Sequence, residues 1–381
     1  MKLAYFVTPH GFGHAARACA VIQAIAERRG DVGFEIFTTV PEWFFGQSLN
    51  TAYGYHRLEA DLGLVQKGPV EADLPATVAC LDQMLPFDPC LVDALAVRLS
   101  HLHCRAVVCD IAPLGIAVAR QAAIPSILVE NFTWDWIYQA YVGNHPGLGP
   151  HIDYLRTVFS QADLHIQTDP VCRMRPGALH LGPISRKPRQ SRQAVRSALG
   201  IQGDTRLITV SMGGVPGPEL IPMATRLPDG VAIVLASRDG AGSRLPGVIR
   251  LGAEASFYYP DLVQAADAAA GKIGYSTLAE LCPAGLPYAF VARADCPEAA
   301  VLAAFAQQHL PCLRLEPGAL DNGRWLQRIA DLLALPRASS TLTNAAGQAA
   351  AAVLDHLAAA RTAPASGRFV DKQVAAEGKN A

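Results

Sequence analysis

The sequence predicts an α/β protein made of two doubly wound, Rossmann-like parallel sheets that face each other across a cleft. Three observations carry that reading. Short β-branched and aromatic runs alternate with helical stretches, the pattern of parallel strands covered by helices on both faces. The alternation occurs twice, in series separated by a Pro- and basic-rich stretch, Gly182-Pro183-Ile184-Ser185-Arg186-Lys187-Pro188-Arg189. The chain of 381 residues is also too long for one ordinary core and suits two.

The first series opens with residues 3–8 (LAYFVT), which run into a Gly-rich turn. From His14 to Arg29, Ala16, Ala20, Val21, Ile25 and Ala26 keep one helical face apolar, and Gly30 stands where a helix stops. Residues 34–39 (FEIFTT) follow as a strand, completing a βαβ unit. The pattern returns at residues 106–110, a helix through Arg120, and residues 126–130. The second series places strands at residues 207–211, 231–235, 248–251, 268–273 and 288–291. The expected organisation is a first domain over 1–160, a connector over 161–190 and a second domain over 191–338. An Ala-rich helix within 339–362 and a disordered tail over 363–381 complete it. The basic stretch reads as a solvated turn. No repeat recurs at a fixed period of about 20–50 residues, which excludes solenoids and propellers.

Charge narrows the function classes. Lys plus Arg number 32 against 33 for Asp plus Glu, a net charge of −1, so the chain has no field to gather nucleic acid or anionic membrane. With 51% hydrophobic and 17% charged residues it is not intrinsically disordered. No apolar run reaches the roughly 18 residues of a transmembrane segment. The start reads as a strand and not a signal peptide. The nine cysteines are odd in number and form no C-x-x-C pair. Cys104, Cys109 and Cys282 sit in apolar stretches, as small hydrophobes do. A cytoplasmic protein with reduced thiols is expected.

The first strand runs into a loop, residues 8–17 (TPHGFGHAAR), where Gly11 and Gly13 let the backbone turn tightly and approach a ligand. The helix behind it aims free N–H groups at an anion. A dinucleotide fingerprint would need an acidic residue closing the second strand, but that strand closes on Thr38-Thr39 and Glu35 comes too early. His14, at the helix start, is a candidate general base; the plainer alternative is a histidine that packs there. A His10/His14 metal pair is disfavoured, because Gly11 and Gly13 break the helix that would join them. No metal and no cofactor is expected.

In the second half, Ser211-Met212-Gly213-Gly214 follows a strand and opens a loop. Residues 271–281 (GKIGYSTLAEL) place a turn at Gly274 and a helix start near Ser276 or Thr277. Glu280 then has two readings. It closes a capping box with Thr277, or it holds a ribose while a diphosphate sits on the N–H groups at 276–278. The residues alone leave both open.

These motifs resemble those of GT-B glycosyltransferases, the two-domain class that uses nucleotide-sugar donors. Residues 274–280, with Ala284-Gly285-Leu286-Pro287 after them, are similar to the donor motif of the peptidoglycan N-acetylglucosaminyltransferases. The resemblance implies that Ser276 and Thr277 bind the donor diphosphate, that Glu280 binds the ribose, and that His14 is the acceptor base or touches the reacting sugar. The loop at 8–17, residues 107–110 and 130–138, and Gly271-Lys272-Ile273-Gly274-Tyr275 also resemble the non-kinase N-terminal half of plant L-arabinokinases. Ser276 departs from that pattern, which has Gly there. In the loop after Val291, Arg293 and Glu298 fit an Arg- and acid-rich donor-sugar pattern, while Asp295 is displaced by one.

The resulting expectation is a UDP-sugar-dependent, metal-independent transferase, since no D-x-D motif is present. The acceptor, a small molecule or glycan, lies on the N-terminal side near Gly11, Gly13, Arg17, Asn131 and Trp134. The donor lies against Gly213, Gly214, Gly274, Ser276, Thr277, Glu280, Arg293 and Glu298. His14 is the base. Asp110, closing its strand, orients His14 or binds the acceptor, or else caps the next helix. Trp134 and Trp136 stack on a sugar or aglycone, or else cover the core. The C-terminal helix is expected to cross back to the first domain. Two rivals stand beside this reading: a non-catalytic nucleotide-sugar- or sugar-binding domain partnering a sugar kinase, and a nucleotide-sugar epimerase on the same fold.

Overall fold

The computed structural model describes residues 1–68, 71–213, 220–222, 225–236, 245–252, 257–293, 296–339 and 342–362. Gly214, Asp295 and the expected tail at 363–381 lie outside the described residues.

The N-terminal part begins β1 (Lys2–Val7), α1 (Phe12–Arg28), β2 (Gly33–Thr38), α2 (Glu42–Ser48) and β3 (Tyr53–Arg57). A small antiparallel pair, β4 (Gln66–Gly68) and β5 (Glu71–Ala72), leads to α3 (Leu74–Met84) and α4 (Pro89–His101). Then come β6 (Cys104–Asp110), α5 (Pro113–Gln121), β7 (Ser126–Glu130), α6 (Trp134–Gln139), α7 (Leu148–Ser160), β8 (Leu164–Thr168) and β9 (Leu179–Leu181). Seven of these strands form one sheet in the order β3-β2-β1-β6-β7-β8-β9, parallel throughout.

The C-terminal part contains α8 (Arg192–Ala198), β10 (Arg206–Ser211), β11 (Val231–Ala236), β12 (Val248–Leu251), α9 (Tyr259–Ala265) and β13 (Ala268–Lys272). It continues with α10 (Tyr275–Ala284), β14 (Tyr288–Val291), α11 (Ala299–His309), β15 (Cys312–Arg314), a 3₁₀ turn (Arg324–Arg328), α12 (Ile329–Ala334) and α13 (Ala346–Thr362). Its sheet is also parallel, in the order β12-β11-β10-β13-β14-β15.

Strand periodicity explains why both faces of each sheet are dry. In β1, Leu3, Tyr5 and Val7 enter one core while Ala4 and Phe6 enter the other. In β11, Ile233 and Leu235 face one way, Ala232 and Val234 the other. Strands buried on two faces read as continuous apolar runs, which is why they stand out in the sequence. α13 packs on α1, and its Ala346, Ala349, Ala350 and Val353 join the core that α1 fills with Ala15, Ala16, Ala18 and Ala20. Small side chains on both helices permit close approach. Asn344 pins the start of α13: its Nδ2 donates to Ser185 O at 2.6 Å and its Oδ1 accepts from Ser185 N at 3.2 Å.

In each sheet the strand order reverses beside its first strand, between β1 and β6 and between β10 and β13. The crevices outside the carboxyl ends of such strands are where open α/β sheets place ligands. No helix among the described residues is long and apolar enough to cross a membrane.

Candidate active site

The two reversal points open into one cavity of about 320 Å³ between the sheets. The loop after β1 supplies Gly11 and the first turn of α1 Gly13 and His14; the loop after β10 supplies Gly213; that after β13 supplies Gly274 and the first turn of α10 Ser276 and Thr277. Gly11 caps α1 with φ of +84°, which favours glycine. A Cβ on Gly13 would sit 3.1 Å from Ser276 Oγ, so the start of α1 lies directly against the start of α10. Two helix N-termini thus converge on one space, each with orphan N–H groups and a positive dipole end.

His14 forms the first wall. Its Nδ1 lies 3.0 Å from Asp110 Oδ1 at the end of β6. Arg17, one turn further along α1, grips the same carboxylate, Nε to Oδ2 at 2.7 Å and Nη2 to Oδ1 at 2.6 Å. Its Nη1 donates to Asn131 Oδ1, and Asn131 Nδ2 in turn donates to Thr168 O at 2.6 Å. Burial alone would raise the Asp110 carboxyl, but Arg17 and His14 hold it below its usual value, and it is ionised. An ionised carboxylate only accepts, so His14 Nδ1 donates to it and Nε2 is the ring nitrogen left without this partner. The ring of His14 packs edge-on against Phe132 at 5.9 Å.

Beneath this pair lies a second buried acid that the sequence did not single out. Asp61 accepts from Thr8 Oγ1 at 2.6 Å and from Trp134 Nε1 at 2.8 Å. Burial lifts its carboxyl to about 6 against those two donors. His10 stands edge-on to Trp134 at 5.2 Å, with its Nε2 3.2 Å from Gln66 Nε2. Burial, with His14, Lys272 and Arg293 nearby, pushes His10 down to about 3, so it is neutral.

The opposite wall holds Lys272, Tyr275, Arg293 and Glu298. Burial and the charge of Arg293 lower Lys272. Tyr275, the first residue of α10, reaches into the N-terminal half, where its hydroxyl is 3.0 Å from Cys172 Sγ and its ring 5.6 Å from that of Phe132.

The cavity therefore brings together Gly11, Gly13, His14, Arg17, Asn131, Trp134, Gly213, Gly274, Ser276, Thr277, Arg293 and Glu298, with Asp110 directly behind His14. Five expectations are corrected. Asp110 does not cap the next helix, whose N-cap is Ala112 with no side-chain bond. Trp136 packs against the core away from the cavity, whereas Trp134, buried and stacked on Tyr138 at 5.9 Å, lines it. Thr277 and Glu280 form no capping box, because α10 begins at Tyr275 behind Gly274 and Glu280 lies deeper in the helix. Glu280 also does not line the cavity: it is buried in an ion pair with Arg186, whose Nε donates to Oε1 at 2.9 Å. The basic stretch is accordingly no solvated turn at Arg186, which is buried.

Solved structures with this architecture are numerous. CalG4, the calicheamicin glycosyltransferase, superposes with a TM-score of 0.57 at 15% identity over 95% of this chain and 99% of its own. The glycosyltransferase SnogD from Streptomyces nogalater gives 0.55 at 16%, over 94% and 95%. UGT2 of Phytolacca americana gives 0.52 at 12%, over 94% of each chain. The fold is GT-B.

In this GT-B frame the cavity occupies the space between the two Rossmann-like halves. L-arabinokinase of Arabidopsis thaliana is 28% identical over 309 residues, which cover 77% of this chain but 28% of the plant protein. No protein-family model matches the chain. Lys272 and Tyr275 could have been found in the sequence, since both lie within the GKIGY run. Asp61 and Arg186 carried no local signal, because their partners come from distant segments.

Proposed function

We propose that the chain is a glycosyltransferase that moves a sugar from a nucleoside-diphosphate donor, a UDP-sugar, to a hydroxyl of a small-molecule or glycan acceptor. The observation that carries this reading is the His14–Asp110 pair, 3.0 Å apart, on a cavity whose facing wall is the N-terminus of α10. An acceptor hydroxyl set against His14 Nε2 gives up its proton as its oxygen bonds to the anomeric carbon. The bond from that carbon to the diphosphate oxygen breaks, and the leaving diphosphate takes the electron pair. Asp110 balances the imidazolium, and the N–H groups that open α10, with Lys272 and Arg293, meet the charge that develops on the leaving group.

Two further lines support the reading. Residues 274–280 resemble the donor motif of the peptidoglycan N-acetylglucosaminyltransferases, in which the helix start binds the diphosphate. Among the GT-B structures, UGT2 is complexed with UDP-2-fluoro-glucose and pterostilbene, and a spinosyn rhamnosyltransferase with spinosyn aglycone or thymidine diphosphate. One observation favours a second reading, a nucleotide-sugar-binding module without turnover: Glu280, the proposed ribose contact, is sealed under Arg186.

Thermal unfolding against UDP, GDP, dTDP, their sugars and NAD tests the proposal. A ligand at a hundred times its dissociation constant adds about 2.7 kcal/mol, several degrees for a chain of this size. A shift with one nucleoside-diphosphate family, followed by acceptor-dependent consumption of its sugar, is the expected result. Binding without consumption favours the module, and consumption with no acceptor favours an epimerase. No shift with any nucleotide overturns the donor site.

A further inference from the structure

The connector carries a buried charge cluster. Arg186 donates from Nε to Glu280 Oε1 at 2.9 Å and from Nη1 to Ser48 Oγ at 3.0 Å. Its guanidinium lies 5.1 Å from the ring centres of both Phe44 and Tyr258. One side chain thus spans α2 of the N-terminal half and α10 of the C-terminal half. Arg189 closes over the same place, 4.3 Å from the Tyr258 ring, and donates to the carbonyls of Gln47 and Ser48 at 2.7 and 2.6 Å. Beneath them the Glu280 side chain keeps 3% of its exposure.

A carboxylate so enclosed cannot meet a ribose while Arg186 holds it. We infer that Arg186 is a further residue of the donor site, a latch that gives up Glu280 to the two ribose hydroxyls when a nucleoside diphosphate binds. This rests on the donor reading above. Burial pushes the Glu280 carboxyl upward even beside Arg186, so its charge is under-solvated and gains from two further donors. The guanidinium is not stranded by the exchange. It keeps Ser48 Oγ and the faces of Phe44 and Tyr258, which retain a desolvated cation. Breaking a buried pair still costs free energy, and nucleotide binding supplies it. Removing Arg186 therefore strengthens nucleotide binding, where a purely structural brace would weaken it or leave it alone.

Calorimetric titration of the full chain with UDP separates these cases. Arg186→Met is expected to tighten UDP binding about tenfold, Ser48→Ala to tighten it less, and Glu280→Gln to weaken it. Amide hydrogen exchange on the wild-type chain needs no variant to fold. Saturating UDP is expected to speed exchange at Arg186 and Lys187 while slowing it at 275–278. UDP affinity equal to or below wild type in Arg186→Met, or slower exchange at Arg186 under UDP, overturns the latch while the donor site stands. A wild-type chain that binds no UDP overturns both.

Discussion

Asp110 Oδ1 lies 3.0 Å from His14 Nδ1 across 96 positions of sequence, and Arg17 holds the same carboxylate from the next turn of α1. The contact exists because β1 and β6 are neighbours in the sheet, with Val7 paired to Asp110. The chain comes back beside β1 after four helices and four strands. Arg17 keeps Asp110 ionised, and Asp110 in turn accepts from His14 Nδ1.

Asp110→Asn tests that relay. An amide in its place can donate to Nδ1 and drive the proton to Nε2, turning the proposed base into a donor. Turnover is expected to fall by roughly 10²–10⁴-fold with UDP binding retained. Arg17 loses its charge partner in the same variant, and stability falls by about 3 kcal/mol in denaturant titration. Full activity in this variant removes Asp110 from the mechanism.

Gly13 and Ser276 are expected to be coupled. A methyl at Gly13 meets Ser276 Oγ at 3.1 Å, so Gly13→Ala pushes the two helix starts apart and weakens donor binding. Ser276→Gly removes the atom in the way. The double variant should therefore regain most of what Gly13→Ala loses, a coupling of about 0.5 kcal/mol or more in a double-mutant cycle on UDP affinity. Simple additivity contradicts the close approach.

Glu130 gives stability a pH dependence. Burial lifts its carboxyl from 4.5 to about 7, against the pull of Gln167, whose Nε2 donates to Oε1 at 2.7 Å. A folded value above the unfolded one means that the folded state holds the proton more tightly. Its contribution is full below about pH 4.5 and is lost as pH rises through about 7. Thermal unfolding from pH 5 to 8 should show that decline, and Glu130→Gln should flatten it. An unchanged slope in the variant contradicts the assignment.

Metal removal should leave turnover intact. The chain has no D-x-D motif, and the proposed charge stabilisation comes from helix N–H groups, Lys272 and Arg293. Assays in excess EDTA are expected to match those without it. A large loss restored by Mg²⁺ would show that the diphosphate needs a cation.

The sequence made most of the fold legible because strands buried on both faces stand out as apolar runs, as at Ser126–Glu130 and Tyr288–Val291. β3 was missed because it is half-exposed, and Gly54 within it stands where the Glu35 carboxylate leaves no room for a side chain. β8 was missed because His165 and Gln167 interrupt its apolar pattern; Gln167 is buried and bonds Glu130. At the site, residue types were readable and contacts were not. His14 announced itself beside the Gly-rich loop, but its choice of Asp110 depends on strand order. Glu280 mimicked a capping residue in the sequence, and only the helix start at Tyr275 separates the two. Arg186 looked like part of a solvated turn because nothing near it in sequence shows that Phe44, Tyr258 and Glu280 close around it.

The most direct test of the account is nucleoside-diphosphate release measured with and without acceptor, in wild type and in His14→Ala, using the nucleotide family that shifts thermal unfolding. The account predicts acceptor-dependent release by the wild-type chain. In His14→Ala that release should fall by roughly 10²-fold or more while the unfolding shift with the nucleotide is kept. Undiminished release by His14→Ala, or release that ignores the acceptor, would contradict transfer through this histidine.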